Sequence, residues 1–213
     1  MPTALKLYMG KIETPKPVKL ITGILSSIPG LFSEAEQHLL KKFGPIDHKT
    51  ALIPFNFTDY YNKTMGYPIH RQFLSFSKLI EPNALADIKV WTNKLEDKFS
   101  HKNPKNNVTR PTRLRPALQA GTPYRPAERS GAGPARQVNL DPGYLDAAKL
   151  LLASTKDYSH RIYLSKGIYA EVTLYYQNGS YQPWPWTYPD YKTKEYAEFL
   201  QTARKTYLNQ LKP

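Results

Sequence analysis

The chain has 213 residues, of which 40% are hydrophobic and 22% are charged. These values are typical of globular proteins, and the length allows one or two domains with a sizeable core. The sequence has no cysteine, which excludes disulfides, thiolate metal sites and a cysteine nucleophile. No apolar run reaches the roughly 18 residues of a membrane span, and residues 1–20 lack the apolar stretch of a signal peptide. We therefore expect a cytoplasmic protein.

The positive charge is concentrated in one part of the chain. Of the formal net charge of +13, residues 100–137 carry +7, from eight basic residues against one acidic residue, and the other 175 residues carry +6. This arginine-rich segment has six prolines, three glycines and little apolar periodicity, which predicts a disordered insertion. It could be an arm that binds nucleic acid. A solvated insertion is the favoured interpretation, because its basic residues are thinly spread and only Tyr124 could stack on a base.

The first half of the chain alternates strand-like and helical patterns. Ser33 and Glu36 form a capping box that predicts the start of a helix ending before Gly44. Pro82 suits the first position of a second helix, whose apolar face recurs at helical spacing up to Phe99. Strands are predicted at about 18–25, 48–57, 70–79 and 137–140.

The second half contains a hairpin-rich region. A short helix is predicted from Leu145 to Ala153, and a final amphipathic helix is predicted over about 193–211. Asn178-Gly179 is a strong signal for a two-residue hairpin turn. Strands are predicted at about 158–165, 168–177 and 180–184.

The order of these elements predicts an α+β fold. The series β-α-β-β-α-β is typical of a ferredoxin-like antiparallel sheet, here with a C-terminal β-hairpin extension and a terminal helix. Residues 17–99 and 138–213 would form a single domain. Residues 1–16 are predicted to be a weakly ordered N-terminus, and residues 100–137 a disordered arginine- and proline-rich insertion.

The region 138–191 is the richest in clustered polar and aromatic side chains. A three-residue turn at 165–167 would set Arg161 opposite Glu171 and predicts a cross-strand ion pair. His160 would fall on the other, mostly apolar face, where a core position is its simplest explanation. The pair could be an ordinary salt bridge on the sheet. Alternatively, Arg161 could bind a carboxylate or phosphate while Glu171 holds it or acts as a base.

Two further carboxylates lie near this hairpin in the sequence. Asp141-Pro142-Gly143-Tyr144 has the composition of a turn, in which Asp141 caps the backbone or acts as a metal or acid–base carboxylate. Asp190 lies in an aromatic turn that either lines a pocket or packs the start of the last helix, and Asp59 is a weaker candidate. The catalytic candidates are Asp141 and Glu171, and the ligand-binding candidates are Arg161, Tyr144, Tyr169, Asp190 and His160.

Familiar catalytic motifs are missing from the sequence. It has no phosphate-binding loop, no glycine fingerprint for dinucleotides and no nucleophile elbow. Its five histidines form no pair with the spacing of a zincin-type metal site. These absences predict no metal site and leave any reaction and any cofactor unidentified.

Several stretches nevertheless resemble one prokaryotic family. They are PFNFTDYY (54–61), VNLDPGYL (138–145), TKDYSHRIYL (155–164) and WTYPDY (186–191). The chain resembles domain of unknown function 4416 over nearly its whole length, apart from residues 100–137. Because that family has no established activity, the resemblance implies no reaction. Some members are described as GTP-binding, but this sequence has no phosphate-binding loop that would support that description. Thr64 stands where the family commonly has Glu, and the arginine-rich segment replaces a shorter connection.

The favoured functional hypothesis is a small-ligand site. Clustered polar and aromatic residues on one face of the C-terminal hairpin would bind a small anionic ligand or a nucleotide, with or without catalysis. The alternatives are an RNA-binding module that uses the arginine-rich segment and a non-catalytic scaffold. The sequence leaves the ligand and the oligomeric state open.

Overall fold

Nine strands and three long helices make up the described part of the chain. The computed structural model describes residues 11–58, 60–101 and 136–212. The elements are β1 (Val18–Ser26), α1 (Pro29–Phe43), β2 (Ile46–Lys49), β3 (Ile53–Pro54), the one-turn helix α2 (Asn62–Met65), β4 (His70–Ile80), α3 (Leu85–His101), β5 (Val138–Leu145), β6 (Lys149–Ser154), β7 (Arg161–Ser165), β8 (Ile168–Gln177), β9 (Ser180–Pro183) and α4 (Lys194–Gln210). Short 3₁₀ turns at Pro82–Ala84 and Pro189–Lys192 precede α3 and α4.

All strands join one antiparallel sheet. The strand order is β2-β4-β1-β5-β6-β8-β7, with β3 pairing beside β2 on β4 and β9 pairing on β8. β1 lies inside the sheet and is buried along its whole length, as its run of aliphatic residues predicts. The α+β class expected from the sequence is confirmed.

Helices cover both faces of the sheet. On one face, called here the helix-pair face, α1 and α3 pack against Leu20, Ile24 and Leu74 of the sheet. On the opposite face, called here the α4 face, α4 packs against Ile21 and Phe73. Because successive residues of a strand point to opposite faces, β1 and β4 supply both cores in alternation.

The first half of the sequence prediction holds with two corrections. α1 begins at Pro29, so Ser33 lies inside the helix and the predicted capping box is wrong. The φ angle of proline is already fixed near the value that the first helical position requires. The helix therefore begins at Pro29, four residues before the Ser–Glu pattern. The single strand expected at 48–57 is split into β2 and β3. The 3₁₀ turn before α3 begins at Pro82 as expected.

The stretch 141–153 is the main error in the predicted fold. It contains no turn at Asp141 and no helix; β5 continues to Leu145 and forms a hairpin with β6. The actual turn is held by Asp146, whose Oδ1 accepts the N–H groups of Ala148 and Lys149 at 2.7 and 2.9 Å. A Cβ on Gly143 would lie 2.2 Å from the carbonyl oxygen of Leu151. The glycine thus serves the close approach of β5 and β6 rather than a turn.

The C-terminal strands and the turn between β8 and β9 agree with the sequence. β7, β8 and β9 occupy the predicted runs, and Asn178 and Gly179 have positive φ values of 51° and 81°, as a type I′ turn requires. None of the described helices is long and apolar enough to cross a membrane. The part of the arginine-rich segment at 102–135, most of the predicted N-terminal region (residues 1–10) and Asp59 lie outside the described residues.

Candidate functional site

Arg161 stands opposite Glu171, as the sequence predicts, but the turn between their strands differs from the expected one. The turn has two residues, Lys166 (φ 55°) and Gly167 (φ 73°), instead of three. A bulge at Leu164 adds the missing residue to β7 and restores the register. The predicted pairing of Arg161 with Glu171 is therefore correct, but it results from a two-residue turn combined with a bulge and not from a three-residue turn.

The Arg161–Glu171 pair is buried and its hydrogen bonds are nearly saturated. Arg161 donates from Nε and Nη2 to Glu171 Oε2 at 2.9 and 2.7 Å. Its Nη1 donates to the Ser154 hydroxyl at 2.8 Å and to the Lys156 carbonyl at 3.2 Å. The two side chains are only 4% and 2% exposed. An anionic ligand would have to displace these partners, so the pair is best explained as a tie between β6, β7 and β8.

His160 joins this pair, which corrects its expected core position. Its Nε2 lies 3.2 Å from Glu171 Oε2, and its ring stacks on Trp186 with centroids 5.5 Å apart. The alternation argument failed because β7 begins at Arg161, so residue 160 still belongs to the preceding turn. The apolar face predicted for β7 is also exposed at Ile162 and Leu164, because β7 is the last strand of the sheet.

A second cluster on the α4 face centres on Arg71, a residue that the sequence analysis missed. Arg71 is 4% exposed. Its Nη2 lies 3.4 Å from Asp141 Oδ2 and 3.5 Å from Asp190 Oδ2, and its Nη1 donates to the Tyr191 hydroxyl at 3.3 Å. Its Nε has no hydrogen-bond partner among the described residues. Arg71, Asp141 and Asp190 are called here the carboxylate–arginine cluster.

Gly23 makes this cluster geometrically possible. Arg71 lies on β4 and Asp141 on β5, with β1 between them, and Gly23 of β1 pairs directly with Asp141. A Cβ on Gly23 would lie 3.3 Å from Arg71 Nη1 and 3.1 Å from the Phe73 ring. The missing side chain therefore lets the guanidinium reach across β1. The Pro189–Lys192 turn brings Asp190 over the same position from the far end of the chain.

The two carboxylates of the cluster differ in proton affinity. Burial alone would raise the pKa of Asp141, but the positive charges of Arg71 and Lys89 outweigh it and hold that pKa below its usual value. Burial raises the pKa of Asp190, and the negative charge of Asp141 adds to this effect against the opposing charge of Arg71. One site thus holds a carboxylate that ionises readily beside one that keeps its proton longer.

Three tyrosines are linked to the partly exposed Asp141, through its electrostatic interaction with Tyr61. Asp141 keeps 25% of its side chain exposed, whereas Asp190 keeps only 4%. Burial and the charge of Asp141 raise the pKa of the Tyr61 phenol. Tyr61 also contacts the exposed Tyr60, with centroids 5.0 Å apart, and interacts with the exposed Tyr188. These three tyrosines are called here the tyrosine rim.

Positive charges stand at this rim. Lys156 is exposed, and its Nζ lies 4.9 Å from the centre of the Tyr60 ring. Arg136 interacts electrostatically with Asp141 and Tyr61 while its Nη2 donates to Glu96 at 2.5 Å. The side chain of Arg136 remains 35% exposed.

The structure distributes the predicted site residues over four places. Asp141 and Asp190 meet at Arg71, while Arg161, Glu171 and His160 form the second group on the same face of the sheet. Tyr169 contacts Tyr163 of β7 at 5.4 Å between ring centres. Tyr144 faces the opposite side and packs beside α3, so it cannot share a site with the others.

An open groove of about 510 Å³ lies elsewhere, between the β2–β3 edge and α4. Asp47, His48 and Thr50 line one side, and Glu195 and Glu198 line the other. None of the catalytic or ligand-binding candidates proposed from the sequence lines it. No three His, Cys, Asp or Glu side chains within the described ranges are grouped closely enough to hold a metal ion.

Comparison with known proteins identifies the family but no activity. The family model DUF4416, described as a domain of unknown function, matches residues 16–117 and 127–207. Because this is most of the chain, the chain belongs to that family. The match takes in most of the arginine-rich segment and leaves out only residues 118–126 between its two stretches, whereas the sequence resemblance excluded 100–137 entirely. No curated protein and no solved structure matches the chain significantly.

Proposed function

We propose that this member of the DUF4416 family binds a small molecule of the nucleotide type at the carboxylate–arginine cluster. The main observation in support is the buried guanidinium of Arg71. Its Nε has no partner among the described residues, and its other polar contacts are 3.3–3.5 Å long. A buried donor without a partner costs about 1–3 kcal/mol, and a ligand that accepts this hydrogen bond would remove that cost. Clustered titratable groups with shifted pKa values are also typical of functional sites.

The charges around the cluster favour a ligand that has both a neutral polar part and an anionic part. Asp141 and Asp190 repel an anion at the base of the site, but they accept hydrogen bonds from hydroxyl or amino groups. Lys156 and Arg136 at the rim would attract a phosphate. A nucleotide combines the two parts, whereas inorganic phosphate has only the second.

This proposal moves the site away from the hairpin. Arg161 has four N–H groups committed to Glu171, Ser154 and the Lys156 carbonyl, whereas Arg71 has longer and incomplete contacts. If the site is catalytic, Asp141 would act as the base and Asp190 as the acid. Glu171 is unsuited to either role because Arg161 and His160 hold its carboxylate.

A thermal-shift experiment with two isosteric variants tests the position of the site. The probes are adenosine, guanosine and uridine monophosphates and inorganic phosphate, each added to the full chain. We expect one nucleotide at about 100 times its Kd to raise Tm by about 5 °C or more, and phosphate alone to do less. Asp141→Asn should abolish the shift. Glu198→Gln, on the exposed side of the groove, should leave it unchanged.

The opposite pattern would move the ligand to the groove. If Glu198→Gln removes the shift and Asp141→Asn does not, the groove is the site and the proposal is wrong. The proposal is also wrong if none of the nucleotides stabilises the unchanged protein.

We further propose a ferredoxin-like core formed by β1, α1, β2, β4, α3 and β5. The strand order β2-β4-β1-β5, the antiparallel pairing and the packing of both α1 and α3 on the helix-pair face support this assignment. A cytoplasmic location, expected from the sequence, stays a proposal. Cell fractionation that recovers the protein with a periplasmic or secreted marker would contradict it.

RNA binding through the arginine-rich segment stays a second proposal. Its support is the charge of +7 on residues 100–137, since arginine-rich segments make salt-dependent phosphate contacts. The rim tyrosines would offer rings on which bases could stack. A scaffold role, the remaining alternative, predicts protein partners in a pull-down and no stabilisation by any small molecule.

A further inference from the structure

We infer that the molecule bound at the carboxylate–arginine cluster presents a vicinal diol carried on a ring, as in the ribose of a nucleotide or in a hexose. This inference rests on the proposed function in its choice of site, and it specifies the part of the ligand that reaches the base of that site.

The polar groups at the base match two adjacent hydroxyls. Each hydroxyl can donate one hydrogen bond to a carboxylate and accept one from a neighbouring donor. Asp141 and Asp190 are acceptors within 3.5 Å of the same Nη2 of Arg71, and the unpaired Nε of Arg71 is a donor beside them. A diol would therefore satisfy Arg71 without removing its contacts to the two carboxylates. Recognition of ribose hydroxyls by a single acidic side chain follows the same chemistry.

Other ligand chemistries fit the base less well. A carboxylate or phosphate placed there would meet two acidic side chains against one arginine, so repulsion opposes it. A metal cation would have to compete with the guanidinium that already lies between the carboxylates. Neutral hydroxyls avoid both conflicts.

The tyrosine rim explains why the diol should sit on a ring. Tyr60 and Tyr188 are 62% and 47% exposed, although large aromatic side chains are more often covered. Tyr61 contacts Tyr60 and interacts electrostatically with both Asp141 and Tyr188. Aromatic faces pack against the C–H surface of a sugar or against a nucleobase, so exposed tyrosines near the cluster favour a ligand whose hydroxyls are carried on a ring.

The test compares probes that differ in one hydroxyl. Binding of adenosine monophosphate, 2′-deoxyadenosine monophosphate and methyl α-D-mannopyranoside to the full chain is measured by isothermal titration calorimetry, with Asp141→Asn and Glu198→Gln as matched variants. If the source is a nucleotide, the 2′-deoxy compound should bind at least tenfold more weakly than its parent. If the source is a free sugar, the mannoside, which has an adjacent pair of hydroxyls, should bind while both nucleotides do not. In either case Asp141→Asn should abolish binding and Glu198→Gln should not.

The failures of the two proposals are distinguishable. Equal affinity of the nucleotide and its 2′-deoxy analogue, lost for both in Asp141→Asn, would overturn the diol inference and leave the site in place. Binding that survives Asp141→Asn would overturn the site itself. If none of the three probes binds, the diol inference is wrong for both sources.

Discussion

Asp141 and Asp190 both lie within 3.5 Å of the same nitrogen of Arg71, yet their ionised forms have opposite effects on the stability of the fold. The pKa of Asp141 is lowered in the folded protein, so its charge stabilises the fold above the unfolded value of about 3.9. That stability is lost as the pH falls through the lower folded pKa. The pKa of Asp190 is raised by burial, so its ionisation costs stability as the pH rises from about 4 through the folded value.

The amide variants should therefore diverge as the pH rises. Asp141→Asn should be less stable than the unchanged protein at pH 7, and this deficit should shrink below about pH 4. Asp190→Asn, which removes a costly charge, should gain stability relative to the unchanged protein between about pH 4 and 7. Urea unfolding from pH 3 to 7 measures both differences. Parallel pH profiles for the two variants would contradict the assignment.

The buried Arg161–Glu171 pair supports a separate prediction. Arg161→Met leaves Glu171 buried without its main partner, which should cost about 3–5 kcal/mol of unfolding free energy. The double variant with Glu171→Gln should recover part of that loss, because no unpaired charge remains. Urea unfolding of the single and double variants gives the coupling. A stable Arg161→Met protein that fails to bind nucleotide would instead return the ligand site to the hairpin.

The two ion clusters differ in how far the sequence could reveal them. Arg161 and Glu171 are 10 positions apart in one hairpin, so strand alternation and a short turn suffice to pair them. Arg71 is 70 positions from Asp141 and 120 from Tyr191, and these contacts depend on strand order and on the position of the turn before α4. A sequence signal did exist. Arg71 lies two residues before Phe73, so both side chains lie on the same face of a strand that carries several apolar residues. An arginine on such a face is expected to be buried, and a buried arginine needs an acidic partner.

At the scale of elements, β5 shows where local sequence signals fail. Asp141-Pro142-Gly143 has turn composition, but pairing with β1 on one side and β6 on the other holds it extended. Tertiary pairing overrides local preference here, and Gly143 is needed for close strand approach instead. The amphipathic helices α3 and α4 were predictable, because their apolar faces repeat over several turns and need no knowledge of distant partners.

Gly23 of β1 leaves the space through which Arg71 of β4 reaches Asp141 of β5. Gly23→Ala would place a methyl group 3.1 Å from the Phe73 ring and 3.3 Å from Arg71 Nη1, so we expect a loss of about 1–3 kcal/mol. The displaced guanidinium should also weaken nucleotide binding. Gly30→Ala is the matched control, because an added Cβ on this residue of α1 meets nothing within 4 Å. Urea unfolding and calorimetric titration compare the two. Equal behaviour would show that Arg71 does not need the space over β1.

At the scale of the whole molecule, the sheet separates two regions of different character. α1 and α3 close the helix-pair face with a large apolar core, beside which α3 also buries the Lys89–Glu96 pair. The α4 face carries the carboxylate–arginine cluster and the Arg161–Glu171 pair beside its own core. The arginine-rich segment returns to the domain at Arg136, which bonds Glu96 of α3 and interacts with Asp141. Its last arginine is therefore part of the domain, and experiments on the segment's charge should leave Arg136 in place.

The segment's contribution to RNA binding can be tested without changing chain length. In a fivefold variant, serine replaces the arginines at 110, 113, 115, 125 and 129. If the segment binds RNA, affinity for a single-stranded oligonucleotide should fall at low salt. The salt slope should decrease by about 0.7 for each arginine that contacts a phosphate. Nucleotide binding at the carboxylate–arginine cluster should stay the same, because Arg71, Asp141 and Arg136 are untouched. Fluorescence anisotropy at several salt concentrations measures the slope. An unchanged slope would show that these arginines do not contact RNA and that the segment is a solvated insertion.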